Sequence, residues 1–316
     1  MIPSTVSAEE CGVTDRTILV TGGAGFVGGH LVRALYPDNE VRVLDDFSTG
    51  RRENLPDGVT VFEGDVREDD LLERAAAGVD VVYHLAALVS VEESVQDPVG
   101  TQSINADATL SVLEAARNAD ARLVFASSAA VYGEPESIPI TESHPTEPTS
   151  PYGLSKLTAD RYARLYTRLY DIPTVTLRYF NIYGPGQQGG DYSGVIDVFL
   201  EQALSGAPIT VHGEGTQTRD FVHVADVVEA NLRAATTDAV GRAFNVGTGT
   251  ETSVLELAEV IRDAADSESK VVFEPARPGD ISESRADISR SRKELDFEPE
   301  VSLEAGLRQI VAVRRG

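Results

Sequence analysis

The sequence is short of several residues that would point to common functions. Cys11 is the only cysteine in 316 residues, which excludes an internal disulfide and any cysteine-based metal site. The five histidines are scattered and form no short metal-ligand pair, so no metal is expected. No apolar run approaches the ~20 residues needed to span a bilayer. The first residues lack an apolar signal core, and the expected location is the cytoplasm. Positive charge is scarce: 27 basic residues face 51 acidic ones, for a net charge of -24. Nucleic acid and anionic membranes would be repelled, so neither is expected as a partner. Lysine itself is nearly missing. Lys156, Lys270 and Lys293 are the whole complement, and the other 24 basic residues are arginine. An acidic, lysine-poor composition is expected of a halophilic protein, in which salt screens self-repulsion.

What is present is a folding composition. Apolar residues make up 41% of the chain, which suits a globular protein rather than disorder. The length suits one large domain or two modest ones sharing a core. Residues 1–15 read as a polar tail with Glu9, Glu10 and Asp15. Strands and helices then alternate. Strands are expected at 17–20, 41–44, 59–62, 79–84, 123–126 and 174–177, and helices after Gly28 and at 69–77, 98–119 and 151–170. That order predicts an α/β fold on a mainly parallel, doubly wound sheet. Past Tyr179 the pattern loosens into Gly-, Pro-, Gln- and Asp-rich segments and short helices near 195–204, 224–235 and 255–265, and a strand at 243–246 is expected to return to the main sheet. The expected division is 16–179 with about 225–250 as the larger domain, and about 180–224 with 251–316 as a smaller α/β lobe supplying binding loops.

Gly22, Gly25 and Gly28 space as Gly-x-x-Gly-x-x-Gly between a strand and a helix. Glycines there permit a tight turn, let backbone amides approach a pyrophosphate, and allow close helix–strand packing. Asp45 lies 23 residues after Gly22, at the end of the second strand. It is placed to accept hydrogen bonds from an adenosine ribose and to repel a 2′-phosphate, which favours NAD over NADP. Arg51 and Arg52 follow closely and argue the other way. A purely structural turn is the competing reading of the glycines. Asp65, just after the third strand, is placed to face the adenine edge, with a plain turn carboxylate as its alternative.

Tyr152-Gly-Leu-Ser-Lys156 opens a long helical pattern. Ser150 suits the cap and Pro151 the first helical position, where no amide donor is needed. Lys156 lies four residues after Tyr152, on the same helix face. A phenol titrates near pH ~10 and is no base at neutral pH unaided. An ammonium one turn away and the positive end of the helix both favour the phenolate. The pair could move a proton on and off a substrate hydroxyl. An ordinary helix start with an unrelated lysine is the other reading. In the first 269 residues, however, Lys156 is the only lysine.

These residues, with Gly64-Asp65-Val66, His84-Leu-Ala-Ala87, Ser127-Ser128-Ala-Ala-Val-Tyr-Gly133, Arg178-Tyr-Phe-Asn-Ile-Tyr-Gly-Pro185, Thr218-Arg-Asp-Phe-Val-His223 and Arg277-Pro-Gly-Asp280, resemble the extended short-chain dehydrogenase/reductase superfamily. Within it the chain resembles the UDP-glucose 4-epimerase-like, NAD-dependent epimerase/dehydratase group, over nearly all of residues 17–310. The resemblance implies a Rossmann-type sheet and a catalytic trio of Ser128, Tyr152 and Lys156. It places NAD against Gly22, Gly25, Phe26, Val27 and Gly28, then Asp45, Asp46, Phe47, Ser48, Thr49 and Gly50. Asp65, Val66, Leu85, Ala86, Ala87, Asn105, Tyr152, Lys156 and Phe180 complete the cofactor set. It places a UDP-sugar against Ser90, Ser128, Tyr152, Asn181, Gln187, Val195, Arg219, Arg277, Asp280 and Ser284.

By the same resemblance, Tyr152 takes the proton of a sugar 4-hydroxyl while NAD takes hydride from C4, and Lys156 holds the cofactor ribose. Dehydratases typically carry an Asp-Glu pair after the equivalent of Ser128, and UDP-glucuronate decarboxylases a glutamate in that segment. This chain has Ala129 and Ala130, which cannot transfer a proton. A UDP-sugar 4-epimerase of the glucose/galactose type is therefore implied, with UDP or dTDP left open. Ser284, where glucose-restricted relatives often carry a bulky aromatic, and Ser90, Asn181, Gln187 and Gly194 match relatives that accept N-acetylated sugars. Val89 departs from the lysine common in glucose-type relatives. A UDP-glucuronate 4-epimerase or decarboxylase would need a cation near the C6 carboxylate. A non-catalytic NAD-binding regulator on the same fold would not need the whole trio. Tyr162, Leu165, Tyr166, Leu169 and Tyr170 form an apolar stripe; in the family the helices near Pro98 and Pro151 commonly pair with their copies, so a homodimer is expected.

Overall fold

Runs of β-branched and apolar residues form Thr17–Thr21 (β1), Glu40–Asp45 (β2), Thr60–Glu63 (β3), Val81–His84 (β4), Arg122–Ser128 (β5) and Thr174–Tyr179 (β6). The computed structural model describes residues 6–187, 194–276 and 281–315. Among these residues the six strands and Arg242–Val246 join in one seven-stranded sheet, in the order Arg242–Val246, β6, β5, β4, β1, β2, β3. Every pairing in it is parallel. Helices cover both faces, so the central strands are buried on both sides and read as continuous apolar runs. One face is filled by Ile18, Val20, Leu31, Val43, Tyr83 and Phe244, the other by Leu19, Leu72, Val82, Val112, Leu123 and Phe125. The chain reverses its direction of strand addition between β1 and β4. The crevice at the C-terminal ends of these strands is where such sheets bind dinucleotides.

The helical stretch expected over 98–119 runs as three pieces. Pro98–Gln102 and Ala108–Asn118 are α-helical, and Ser103–Asp107 between them is a π-turn. Pro98 sits at the first helical position, and Asp97 caps it by accepting the Gly100 N–H at 2.9 Å. The segment read as a polar tail contributes Ala8 and Val13 to the main core. Leu295 and Phe297, far along the chain, enter the same core. A second cluster built on Phe199, Leu200, Val211, Leu257, Ile261 and Leu307 forms the smaller lobe. Its helices are Val195–Ser205, Val254–Ala264 and Leu303–Arg315, beside the parallel pair Ile209–His212 and Val271–Glu274. No helix among the described residues is long and apolar enough to cross a membrane, and they contain no cluster of metal-binding side chains.

Candidate active site

The glycine turn after β1 has three different constraints. Gly22 adopts φ of 68°, and a Cβ there would stand 2.6 Å from the Ala86 nitrogen. At Gly28 a Cβ would meet the Gly22 carbonyl oxygen at 2.1 Å, so only glycine lets helix Phe26–Leu35 lie this close to the strand. Gly25 is the least constrained of the three, with the Gly22 oxygen 3.3 Å from a built Cβ. It is also the helix N-cap and supplies no side-chain acceptor. The first helical amides are left for a ligand, and the helix end favours an anion. A pyrophosphate fits this cradle.

Asp45 is only 7% exposed. It accepts the Ala24 N–H at 2.8 Å on one oxygen and the Phe47 N–H at 2.9 Å on the other. Burial pushes its carboxyl above the usual range, while these two amides act against the rise. The residue therefore shapes the glycine turn. Asp46 accepts from the Ser48 amide and hydroxyl. Arg52 pairs with Glu63 at 3.3 Å and lies 5.1 Å from the Phe47 ring centroid, so it is engaged away from Asp45. Asp65 is gripped by Arg67, whose Nε donates at 2.9 Å, and this bond lowers its pKa.

Ser128, Tyr152 and Lys156 converge at the end of β5. Ser150 caps helix Pro151–Tyr170 by accepting the Gly153 N–H at 3.1 Å, which sets Tyr152 in the first turn. The Ser128 hydroxyl oxygen accepts the Ala130 N–H at 3.1 Å. That leaves its proton free to face Tyr152. Burial pushes the Tyr152 phenol above its ordinary value, and its hydrogen bond with Ser128 acts the other way. Lys156 is 3% exposed and donates to the Ala126 carbonyl at 2.9 Å. Its Nζ stands 5.2 Å from the Phe125 ring centroid. Burial brings its pKa down to about 7. Ala129 and Ala130 follow Ser128 in a single 3-10 turn and add no acid or base.

The remaining expected residues are placed unevenly. Ser90 caps helix Val91–Gln96 through the Glu93 N–H at 3.1 Å. Phe180 is buried with Val131, Tyr132 and Leu157. Asn181 is exposed at a strand start, Val195 opens its helix, and Ser284 is buried. Arg219 donates to the Thr218 and Ile281 carbonyls, both at 2.7 Å. Gln187 Nε2 reaches the Ile182 carbonyl. Arg277 and Asp280 lie outside the described residues.

Two buried groups escaped the sequence reading. Asp160, one turn beyond Lys156, accepts from Arg178 Nε at 2.8 Å and from the Ser127 hydroxyl at 3.3 Å. Arg178 also donates to the Tyr132 hydroxyl at 2.9 Å, and Tyr132 donates to Asn245 at 2.6 Å. This network ties helix Pro151–Tyr170 to β6 and to the last sheet strand. Asp220 accepts from the amides of Thr248, Gly249 and Ala286, fixing the segment that carries Ser284. A carboxylate on an otherwise apolar helix face was the available signal for Asp160. Asp220 lies in the Thr218–His223 motif, but its role was hidden because its partners are remote in sequence.

Residues 18–247 match the NAD dependent epimerase/dehydratase family. A Methanocaldococcus jannaschii relative provisionally named a UDP-glucose 4-epimerase is 41% identical over 298 residues, spanning 93% of this chain and 97% of its own. Among solved structures, a UDP-N-acetylglucosamine 4-epimerase from Methanobrevibacter ruminantium M1, in complex with UDP-N-acetylmuramic acid, is similar at a TM-score of 0.92 and 36% identity, over 96% of this chain and 100% of that one. A Thermus thermophilus UDP-glucose 4-epimerase in complex with NAD is similar at a TM-score of 0.87 and 38% identity, over 95% and 99%. The chain belongs to the NAD dependent epimerase/dehydratase family, and NAD is its cofactor.

Proposed function

We propose that this member of the family is a UDP-sugar 4-epimerase. One observation carries the reading: Ser128 is followed by Ala129 and Ala130, so Tyr152 is the evident acid–base group at the end of β5. A dehydratase or decarboxylase needs a further group to move a second proton or to assist loss of a carboxylate, and alanine supplies neither. Tyr152 Oη takes the proton of the sugar 4-hydroxyl and gives it back on the other side of the cycle. Ser128, with its oxygen already accepting the Ala130 amide, donates toward the phenol and steadies its charged form. Lys156, fixed by the Ala126 carbonyl, supplies a compact charge that favours the phenolate when protonated. NAD held at the glycine turn would supply reversible hydride chemistry at the sugar C4, with the hydride returned to the same carbon. Rotation of the 4-keto sugar between those events exchanges the two C4 epimers.

The small or polar residues Ser90, Asn181 and Ser284 favour a pocket that also admits N-acetylhexosamines. The UDP-N-acetylglucosamine 4-epimerase similarity supports this. Arg219 serves the nucleotide side. A homodimer is proposed through the helices near Pro98 and Pro151, which meet side by side and expose Val95, Val99 (78% exposed), Leu154 (56% exposed), Tyr162 and Leu169. Tyr166 of the same stripe is instead buried in the core.

The test is direct. The protein is incubated separately with UDP-galactose, UDP-N-acetylgalactosamine and UDP-glucuronate, and the anomeric proton signals are followed by NMR. Conversion of the first two to their C4 epimers is expected. Conversion of UDP-glucuronate alone would move the assignment to the uronate enzymes, and no conversion of any would end it. Tyr152→Phe should lose turnover by at least about a thousandfold while still binding NAD.

A further inference from the structure

Among the described residues, the ends of β1 and β4 and the π-turn are joined by one buried side chain, His84, which is 1% exposed. Its two ring nitrogens have separate partners. Nε2 lies 3.0 Å from the Thr109 hydroxyl oxygen, and Nδ1 lies 2.7 Å from that of Thr21. The protons can be placed by counting. The Thr109 hydroxyl donates its single proton to the Asn105 carbonyl at 2.7 Å. It must therefore accept from His84, so Nε2 carries the ring proton. Nδ1 is then bare and accepts from Thr21. The Thr21 oxygen in turn accepts the Ala86 N–H at 3.4 Å. Each hydroxyl both donates and accepts, and Thr109 has no second proton for the bare Nε2 that the opposite tautomer would present. An imidazolium is disfavoured by the same count, because Nδ1–H would turn the Thr21 hydroxyl into an acceptor and take away the acceptor of its own proton. Burial, and then the charge of Lys156, agree by driving the His84 pKa down to about 3.

The chain of bonds continues on the far side. The Asn105 amide pairs with the Leu88 backbone in both directions, each at 2.9 Å. Its Nδ2 also donates to the Ser155 hydroxyl at 3.1 Å, and Ser155 donates to the Tyr152 carbonyl at 2.8 Å. The π-turn at Ser103–Asp107 carries Asn105 within this chain. Such turns concentrate at functional sites.

We propose that His84 is a positioning residue, held in the Nε2–H tautomer, that locks the cofactor turn at Thr21–Gly22 and the loop 85–90 to the π-turned helix, so that NAD and the sugar-side loop stay in register with Tyr152. The proposal rests on the NAD site and on the sugar-side reading of loop 85–90. A merely packed histidine would need neither tautomer control nor two threonines in series. A glutamine at 84 keeps an N–H near the Nε2 position and loses the acceptor for Thr21. An asparagine keeps an acceptor for Thr21 and loses the reach to Thr109.

The experiment is NAD titration by calorimetry of His84→Gln, His84→Asn, Thr21→Val and their doubles, with an imidazole 15N spectrum of the wild type. Wild-type binding in the same titration separates failure of this inference from failure of the cofactor site. His84→Gln and Thr21→Val should each weaken NAD by about tenfold, the double no further, and His84→Asn by less than about threefold. Thr109→Val should leave NAD affinity within about twofold and raise the nucleotide-sugar KM instead. If the histidine variants do not fold, the isosteric Thr21→Val and Thr109→Val carry the same contrast. An Nδ1–H tautomer in the spectrum would overturn the proposal. So would Thr21→Val binding NAD as the wild type does.

Discussion

Lys156 sits where a charge is costly. Burial takes its pKa from 10.5 to about 7, with the Ala126 carbonyl as its hydrogen-bond partner. Between those values the unfolded chain holds a proton that the folded chain has released. Stability therefore climbs with pH from about 7 to about 10.5, and the full penalty is present below about pH 7. Lys156→Met in the cofactor-free protein should melt at least about 3 °C higher at pH 6.5, and within about 1 °C of wild type at pH 10.5. The same variant should lose turnover by more than about a hundredfold. Thermal melts across this range check the first claim, and a melting gain that does not change with pH would sink it. A residue that weakens the fold and is the sole lysine before Lys270 accords with the proposed role in proton transfer. That much was legible in the composition, but its partner was not. The ammonium is held by a backbone carbonyl one strand away, which no spacing rule reveals.

At the scale of elements, the glycine turn separates packing from binding. Gly28→Ala forces a Cβ to 2.1 Å from the Gly22 oxygen and should cost more than about 2 kcal/mol of stability. Gly25→Ala meets nothing nearer than 3.3 Å and should fold within about 1 kcal/mol of wild type, yet lose NAD affinity by at least about tenfold. Urea titration and NAD titration of the two variants give the contrast directly; a Gly25→Ala protein with wild-type affinity would refute it. The buried pair of Arg178 and Asp160 answers to different physics. Arg178→Met leaves the buried Asp160 carboxylate with Arg164 and Ser127 as its partners, and should cost about 1–3 kcal/mol. Adding Asp160→Leu should recover much of that loss, because a desolvated pair is often replaceable by apolar volume. Urea midpoints of the single and double variants decide it, and a double no more stable than Arg178→Met would count against this account. The strands and the glycine turn were legible because each is a local pattern. The π-turn was not: a helical period over 98–119 looks continuous until Asn105 finds Leu88 across the loop.

For the whole molecule, a net charge of -24 means that self-repulsion opposes folding in dilute buffer. The Debye length falls from about 10 Å at 0.1 M to about 3 Å at 1 M salt. The melting temperature should therefore rise by more than about 5 °C between 0.1 M and 2 M potassium chloride; a flat response would remove the salt argument. The exposed face at Val95, Val99 and Leu154 belongs to the same scale. Leu154→Arg should shift the protein from dimer to monomer in light scattering, with NAD binding kept. A wild-type monomer at high concentration would end the dimer reading. Its apolar stripe could be read in the sequence, but which of its residues face out could not. Tyr166 turns into the core while Leu169 turns away from it.

The sequence by itself determined the alternation of strands and helices, the glycine turn and the placing of Tyr152 and Lys156 one turn apart on one helix, because each depends on residues within a few positions of one another. It also carried the absence of an acid or base at Ala129 and Ala130, since a missing functional group needs no structure to be missing. Only the tertiary structure decided that a Cβ at Gly25 would stand 3.3 Å from the Gly22 oxygen while one at Gly28 would stand 2.1 Å from it. Only there could His84 meet two threonines, Thr21 from β1 and Thr109 from the helix Ala108–Asn118. Hydrogen bonds and steric contacts act over a few ångströms of space whatever the distance along the chain.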